Sequence, residues 1–142
     1  MMNPVEFVLL IDDDNATNFF NGMMLGKHDS FGRTLAVRSG SEALDFLQSI
    51  PNTDAQKPDL IFLDINMPGM NGWEFLDAFK ELPVHITEGI KVILLSTSSN
   101  PEEVKKSMRK YSVDDYINKP LSMNILDSVY EVHFQKQYSS TS

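Results

Sequence analysis

The residues able to do chemistry in this chain are acids, one lysine and a group of hydroxyls, each set directly after an apolar run. Asp12-Asp13-Asp14 closes Phe7-Val8-Leu9-Leu10-Ile11, and Asp64 closes Leu60-Ile61-Phe62-Leu63. Ser96-Thr97-Ser98-Ser99 follows Lys91-Val92-Ile93-Leu94-Leu95, and Lys119-Pro120 follows Asp115-Tyr116-Ile117-Asn118. Several carboxylates, an ammonium and a hydroxyl in one place suit a divalent cation and a phosphoryl group. Magnesium takes oxygen ligands in octahedral geometry, commonly one or two carboxylates with water and phosphate oxygens completing the shell. The acidic loop can supply such carboxylates, Asp64 another, and the backbone carbonyl of Asn66 a further oxygen. Without the cation the carboxylates repel one another and at least one pKa rises; with it, Asp64 stays ionised as a nucleophile. Lys119 is a compact charge for phosphoryl oxygens, and the Ser96 hydroxyl can donate to another. Phosphoryl transfer depends mainly on positioning and charge neutralisation, so this small set suffices.

Taken singly, each residue has a plainer reading. An aspartate at a strand end is more often a cap or loop residue, the Asp12 to Asp14 run could be a helix N-cap, and a lone lysine is usually solvated. Their joint placement at the ends of four strands is what favours a site.

Those strands follow from the pattern around them. Unbroken apolar runs fit strands buried on both faces of a parallel sheet, and the Pro68-Gly69 and Asn71-Gly72 pairs mark a loop after Asp64. Arg33 to Val37 reads as a further short strand. Helices are expected from Asn15, with Phe19, Phe20, Met23 and Met24 at helical spacing; after Ser39, which with Glu42 has capping-box spacing; from Gly72 to Phe79; after Asn100-Pro101; and after Ser122. The helix opened by Asn100 has only Val104 and Met108 as clear inward residues. Five strands alternating with five helices make a doubly wound α/β sheet, flavodoxin-like, the economical topology. In such sheets ligands bind outside the carboxyl ends of the strands.

Composition narrows the function. A chain of 142 residues, 42% hydrophobic and 23% charged, fits one globular unit over residues 1–135, with 136–142 as a polar tail. The formal net charge of -8 disfavours nucleic acid and anionic membrane as partners. Cysteine is absent and the three histidines show no ligand spacing, which argues against zinc. Neither a membrane-length apolar run nor a signal-peptide pattern is present, so the cytoplasm is the expected location.

Together these residues resemble the receiver domain of two-component response regulators over Phe7 to Phe134. The resemblance rests on the acids Asp12 and Asp13, the acceptor segment Leu63 to Gly72, a hydroxyl residue ending strand four (Ser96) and the Lys119-Pro120 pair. It implies that Asp64 takes a phosphoryl group from a phosphohistidine on a sensor histidine kinase or phosphotransfer protein. Magnesium would be held by Asp13, Asp64 and the Asn66 carbonyl, with Asp12 acting through water. The Lys-Pro peptide is commonly cis in this family and would aim Lys119 into the site. Ser96 and Tyr116 would form the conformational switch, while Asn66 and Ser98 lie where hydrolysis of the phosphoryl group is tuned. The expected protein is a stand-alone receiver, not an enzyme acting on other molecules, signalling through protein contacts or onward phosphotransfer. A homodimer through the fourth helix, fifth strand and fifth helix is a further expectation. The competing enzyme reading, a haloacid-dehalogenase-type phosphatase, would need a threonine at position 16, where Ala16 stands. A degenerate receiver serving only as an interaction module is disfavoured because every motif position is filled.

Overall fold

The structure, a computed structural model, describes residues 4–53, 55–96 and 101–135. Thr97, Ser98, Ser99, the expected cap Asn100 and the tail 136–142 lie outside the described residues.

Five parallel strands, β1 (Val5–Ile11), β2 (Phe31–Val37), β3 (Leu60–Asp64), β4 (Lys91–Ser96) and β5 (Asp115–Asn118), form one sheet in the order β2-β1-β3-β4-β5. The strands that read as unbroken apolar runs are the buried ones: every residue of β3 is buried, as is β4 after Lys91. Successive side chains of β1 divide between the two faces. Leu9 and Ile11 join Ile61, Leu63, Phe75 and Leu94 on one side, and Val8 and Leu10 join Leu25, Phe62, Leu126 and Val129 on the other. Helices therefore cover both faces, as the doubly wound topology requires.

The helices are α1 (Asn15–Lys27), α2 (Gly40–Ser49), α3 (Gly72–Lys80), α4 (Val84–Thr87), α5 (Pro101–Tyr111) and α6 (Met123–Tyr130). α4 is one more than the alternation predicted. It is a four-residue turn, too short to show helical periodicity, and it buries only Ile86. The helix after β4 is thus α5 and the last is α6, which winds on to Gln135 and buries Phe134. Ser122 caps α6 by accepting from the Ile125 N–H at 3.1 Å. Ser39 caps α2 in the same way, but Glu42 reaches the N–H of Arg38 and leaves that of Ser39, so its capping box is only half formed. A full box occurs at α3, where Asn71 and Glu74 exchange side-chain bonds with each other's N–H. The second strand begins at Phe31, two residues before its predicted start, because Phe31 is a core side chain and Gly32 continues the strand.

The helix expected from Asn15 is present, and its buried side is not the one its aromatic residues occupy. The spacing of Phe19, Phe20, Met23 and Met24 points to an inward apolar face, yet Phe19 is 71% exposed and Phe20 and Met23 also face solvent. The buried residues of α1 are Asn18, Asn21 and Leu25. The amide of Asn18 donates to the carbonyls of Asp12 (2.9 Å) and Val37 (3.4 Å), and the Asn21 side chain accepts from the Leu121 N–H (3.4 Å). Turning those amides toward strand-end backbone leaves the phenyl rings outside.

Candidate functional site

Register alone brings the separated polar residues to one edge. Ile11 pairs with Leu63, so Asp12 and Asp64 are the next residues on adjacent strands. Asp64 pairs with Leu95, one residue before Ser96, and Ser96 pairs with Asn118, one before Lys119. The Lys119 N–H donates to the Ser96 carbonyl at 3.0 Å, extending the ladder into the site. β1 and β3 flank the point where the strand order reverses, the crevice in which open α/β sheets bind ligands.

At that edge the Lys119 ammonium donates to Asp12 at 2.8 Å and lies 3.1 Å from Asp64. Asp12, Asp64 and Ser96 are buried and Asp13 is half-buried. One carboxylate oxygen from each of Asp12, Asp13 and Asp64 lies within 4.8 Å of the others. All are hard oxygen donors, so the set fits a magnesium-like cation, and Asp12, Asp13 and Asp64 are the residues able to hold it. The Asn66 N–H donates to Asp64 at 3.3 Å, a partly buried bond that puts the Asn66 backbone beside the cluster. The other Asp12 oxygen accepts from the Asp14 N–H at 3.0 Å. Asp14 itself is exposed and serves as the N-cap of α1, its carboxylate accepting from Thr17. That bond, above all the one from the Thr17 hydroxyl, lowers its pKa. The three-acid run therefore divides into two site acids and one cap, a split that spacing did not specify.

Burial pushes the Asp64 carboxyl up to about 6; the charge of Asp12 adds to the rise and Lys119 opposes it. For Lys119 burial pulls the other way, but the bonds and charges of Asp12 and Asp64 outweigh it and the ammonium titrates above its usual value. The Lys119–Pro120 peptide is cis. Tyr116 is half-buried, packed against the cluster containing Leu94 and Val104. Ser98, which the resemblance puts where hydrolysis is tuned, lies outside the described residues.

Some supporting residues were missed by the sequence reading. Asn18 and Asn21 pin the backbone of Asp12 and of the turn after Lys119; what marked them was polar type at helical spacing beside the acids. Gly72 packs so closely that a Cβ there would meet the Asp64 carbonyl oxygen at 2.9 Å and the Ile65 Cα at 2.8 Å. Gly72→Ala should cost about 2 kcal/mol or more, since backbone must shift, as read from the urea midpoint.

A five-stranded parallel sheet in this order, with acids and a lysine at its carboxyl edge, defines a receiver-type fold. Comparison with known proteins agrees: residues 8–131 match the response regulator receiver domain, and the chain belongs to that family of two-component systems. A probable cyclic di-GMP phosphodiesterase of Vibrio cholerae is 37% identical over 93% of this chain and 27% of its own length. A probable C4-dicarboxylate response regulator of Halalkalibacterium halodurans is 30% identical over 94% of this chain and 54% of its own. The chain thus spans about half or less of these curated relatives. Among solved structures, a two-component response regulator from Cytophaga hutchinsonii superimposes with a TM-score of 0.79 at 36% identity, covering 89% of this chain and 95% of that one. No helix among the described residues is long and apolar enough to cross a membrane.

Proposed function

We propose that Asp64 accepts a phosphoryl group from a phosphohistidine on a sensor histidine kinase or histidine phosphotransfer protein, in a magnesium-dependent reaction in the cytoplasm. The observation that carries the reading is Lys119 held 2.8 Å from Asp12 and 3.1 Å from Asp64 beside a third carboxylate. An Asp64 oxygen attacks phosphorus, the P–N bond to the donor imidazole breaks, and the imidazole leaves with its electron pair and picks up a proton. Asp13, Asp64 and the Asn66 carbonyl would hold magnesium, Asp12 through water; the ion supplies positive charge for the incoming phosphoryl oxygens. Lys119 stays protonated and moves from carboxylate to phosphoryl oxygen as charge builds there. Ser96 and Tyr116 then report the product by favouring one of two packings of β4, β5 and α5, with Asn66 and Ser98 setting how long it lasts. The signal leaves through the receiver's own surface, by contact, by onward transfer or by pairing across α5, β5 and α6.

The outward aromatic face of α1 supports a donor that docks beside the acceptor. Phe20, with Ala16 and Thr17, shares an open apolar depression of about 420 Å³ with Lys119 and Pro120. Phe20→Asp should slow transfer from a phosphohistidine protein about tenfold or more, as removal of an exposed aromatic anchor does, and leave labelling by acetyl phosphate unchanged. Equal slowing with both donors would place the defect in the site and not in docking.

The function is tested by incubation with magnesium and acetyl phosphate, followed by intact-mass and borohydride-trapping analysis. Incorporation should disappear in Asp64→Asn and persist in Asp77→Asn. A phosphoryl group that lands on another residue sinks the assignment.

A further inference from the structure

The molecule carries a second polar feature, at the opposite edge of the sheet from Asp64. α5 leaves the carboxyl end of β4 and runs back along the sheet, so its C-terminal half lies toward the amino-terminal edge. In a chain of net charge -8, that half holds four exposed cations, Lys105, Lys106, Arg109 and Lys110. Lys105 with Arg109 and Lys106 with Lys110 are four apart, so the charges form two adjoining rows on one face. Among the described residues, no ion pair engages any of the four.

Two grooves meet beneath these rows. One, of about 490 Å³, is lined by Lys105, Met108, Arg109, Ser112 and Val113. The other, of about 270 Å³, lies between α5 and α3, with Leu76, Phe79 and Tyr111 below and Lys80 and Lys110 at its rim. They share Ser112 and Val113. Ser112 sits at φ 58°, the left-handed position that ends a helix, and the Val113 N–H returns to the Met108 carbonyl at 3.1 Å. That ending sets Met108 and Val113 as an apolar floor. The carboxylate in the lining, Asp114, is engaged by the Val92 N–H at 2.8 Å and does not neutralise the rim. Helix-dipole compensation accounts for Arg109 and Lys110 in the last turn, but not for Lys105 and Lys106 a turn earlier.

We propose that this groove binds an acidic protein segment that lays carboxylates along the α5 cations and inserts an apolar side chain onto Met108 and Val113. The acidity of the rest of the chain opposes a nucleic-acid backbone or an anionic bilayer, whose charges extend far beyond one helix half, whereas a short segment meets only the cationic rows. An apolar floor flanked by charge is the form of a peptide groove. This surface is independent of phosphoryl chemistry at Asp64.

The fold supplies its own reporter. Trp73, the chain's one tryptophan, stacks on Tyr111 of the groove at 5.7 Å between ring centroids, 18° from parallel. Its ring thus reads α5, although it follows the acceptor loop in sequence. The test is titration of the full chain, and of its Asp64→Asn variant, with a synthetic helical peptide carrying Glu residues four apart around one Leu. Expected is a saturable change in Trp73 emission in both proteins. The dissociation constant should weaken about tenfold or more in Lys105→Glu/Arg109→Glu and in Met108→Ser, and with Leu→Ala in the peptide, while Lys27→Glu on α1 has no effect. Variants are compared only where their peptide-free emission and circular dichroism match the parent, which separates docking from misfolding. Absence of saturable binding, equal weakening by Lys27→Glu, or tighter binding of duplex DNA or phosphatidylserine vesicles than of the peptide overturns the proposal. Persistence of binding in Asp64→Asn separates this surface from the phosphoacceptor assignment.

Discussion

Asp64→Asn should melt higher than the parent protein in EDTA at pH 7.5, while losing all phosphoryl uptake. The cause is the carboxylate's surroundings: its side chain is 5% exposed and shares Lys119 with Asp12. Burial and the Asp12 charge raise its pKa from 3.8 to about 6, so the folded state binds a proton that the unfolded chain has already released. A raised carboxyl pKa contributes no cost below about pH 4, an increasing one between 4 and 6, and its full value above 6. Two pKa steps set an upper limit of about 3 kcal/mol. The site opens onto solvent at the sheet edge, and screening brings the expected gain of the asparagine variant to about 1–2 kcal/mol. For a chain of this size that is roughly 3–6 °C in Tm. The difference should shrink as pH falls from 7 to 4. Magnesium should reverse the order, because the parent gains binding free energy that the asparagine variant largely lacks. A variant no more stable than the parent in EDTA at pH 7.5 would show that Lys119 already compensates Asp64 in full.

How much of this was legible beforehand depends on what each residue's role rests on. Asp64, Ser96 and Lys119 could be placed because the apolar runs before them are long, β-rich and uninterrupted, and because parallel register converts sequence position into spatial neighbourhood. Spacing alone did not separate Asp12, Asp13 and Asp14, all acids after the same strand; the resemblance singled out the first two, and the backbone turn into α1 makes the last one the cap. Phe19 and Phe20 marked a helix correctly, but periodicity records which residues share a face and not which face turns inward. At α1 that choice is made by Asn18 and Asn21, whose amides reach carbonyl and N–H groups on β1, β2 and the turn after β5. Those partners are remote in sequence. Trp73 follows the loop after Asp64 in sequence, yet its ring stacks on Tyr111 across the α3–α5 contact, a partner that position along the chain does not reveal.

The sharpest test of the site's electrostatics is Lys119→Met. The ammonium is the positive charge within bond distance of Asp12 and Asp64, whose side chains are 4% and 5% exposed. Removing it leaves two carboxylates to repel each other; breaking a fully buried pair costs about 3–5 kcal/mol, and solvent at the sheet edge brings the expected loss to about 2–3 kcal/mol. Part of that loss is recovered by protonation, since Asp64 already titrates near 6 and would move higher without the lysine. The destabilisation in EDTA should therefore be largest at pH 8 and smaller at pH 5. Lys119 titrates above its usual value and keeps its charge across this range, so the pH dependence belongs to the carboxylates. Magnesium should raise the Tm of Lys119→Met by more than it raises that of the parent, because the dication replaces a missing charge in the variant and competes with an existing one in the parent. Thermal melts at both pH values, with and without magnesium, give the four numbers needed. Equal destabilisation under all four conditions would mean that Lys119 acts through the packing of its stem, and that the charge reading of the site is wrong. The expected pattern, a loss that magnesium and protons each relieve, would identify Lys119 as the charge that the carboxylate cluster needs before a cation or a phosphoryl group arrives.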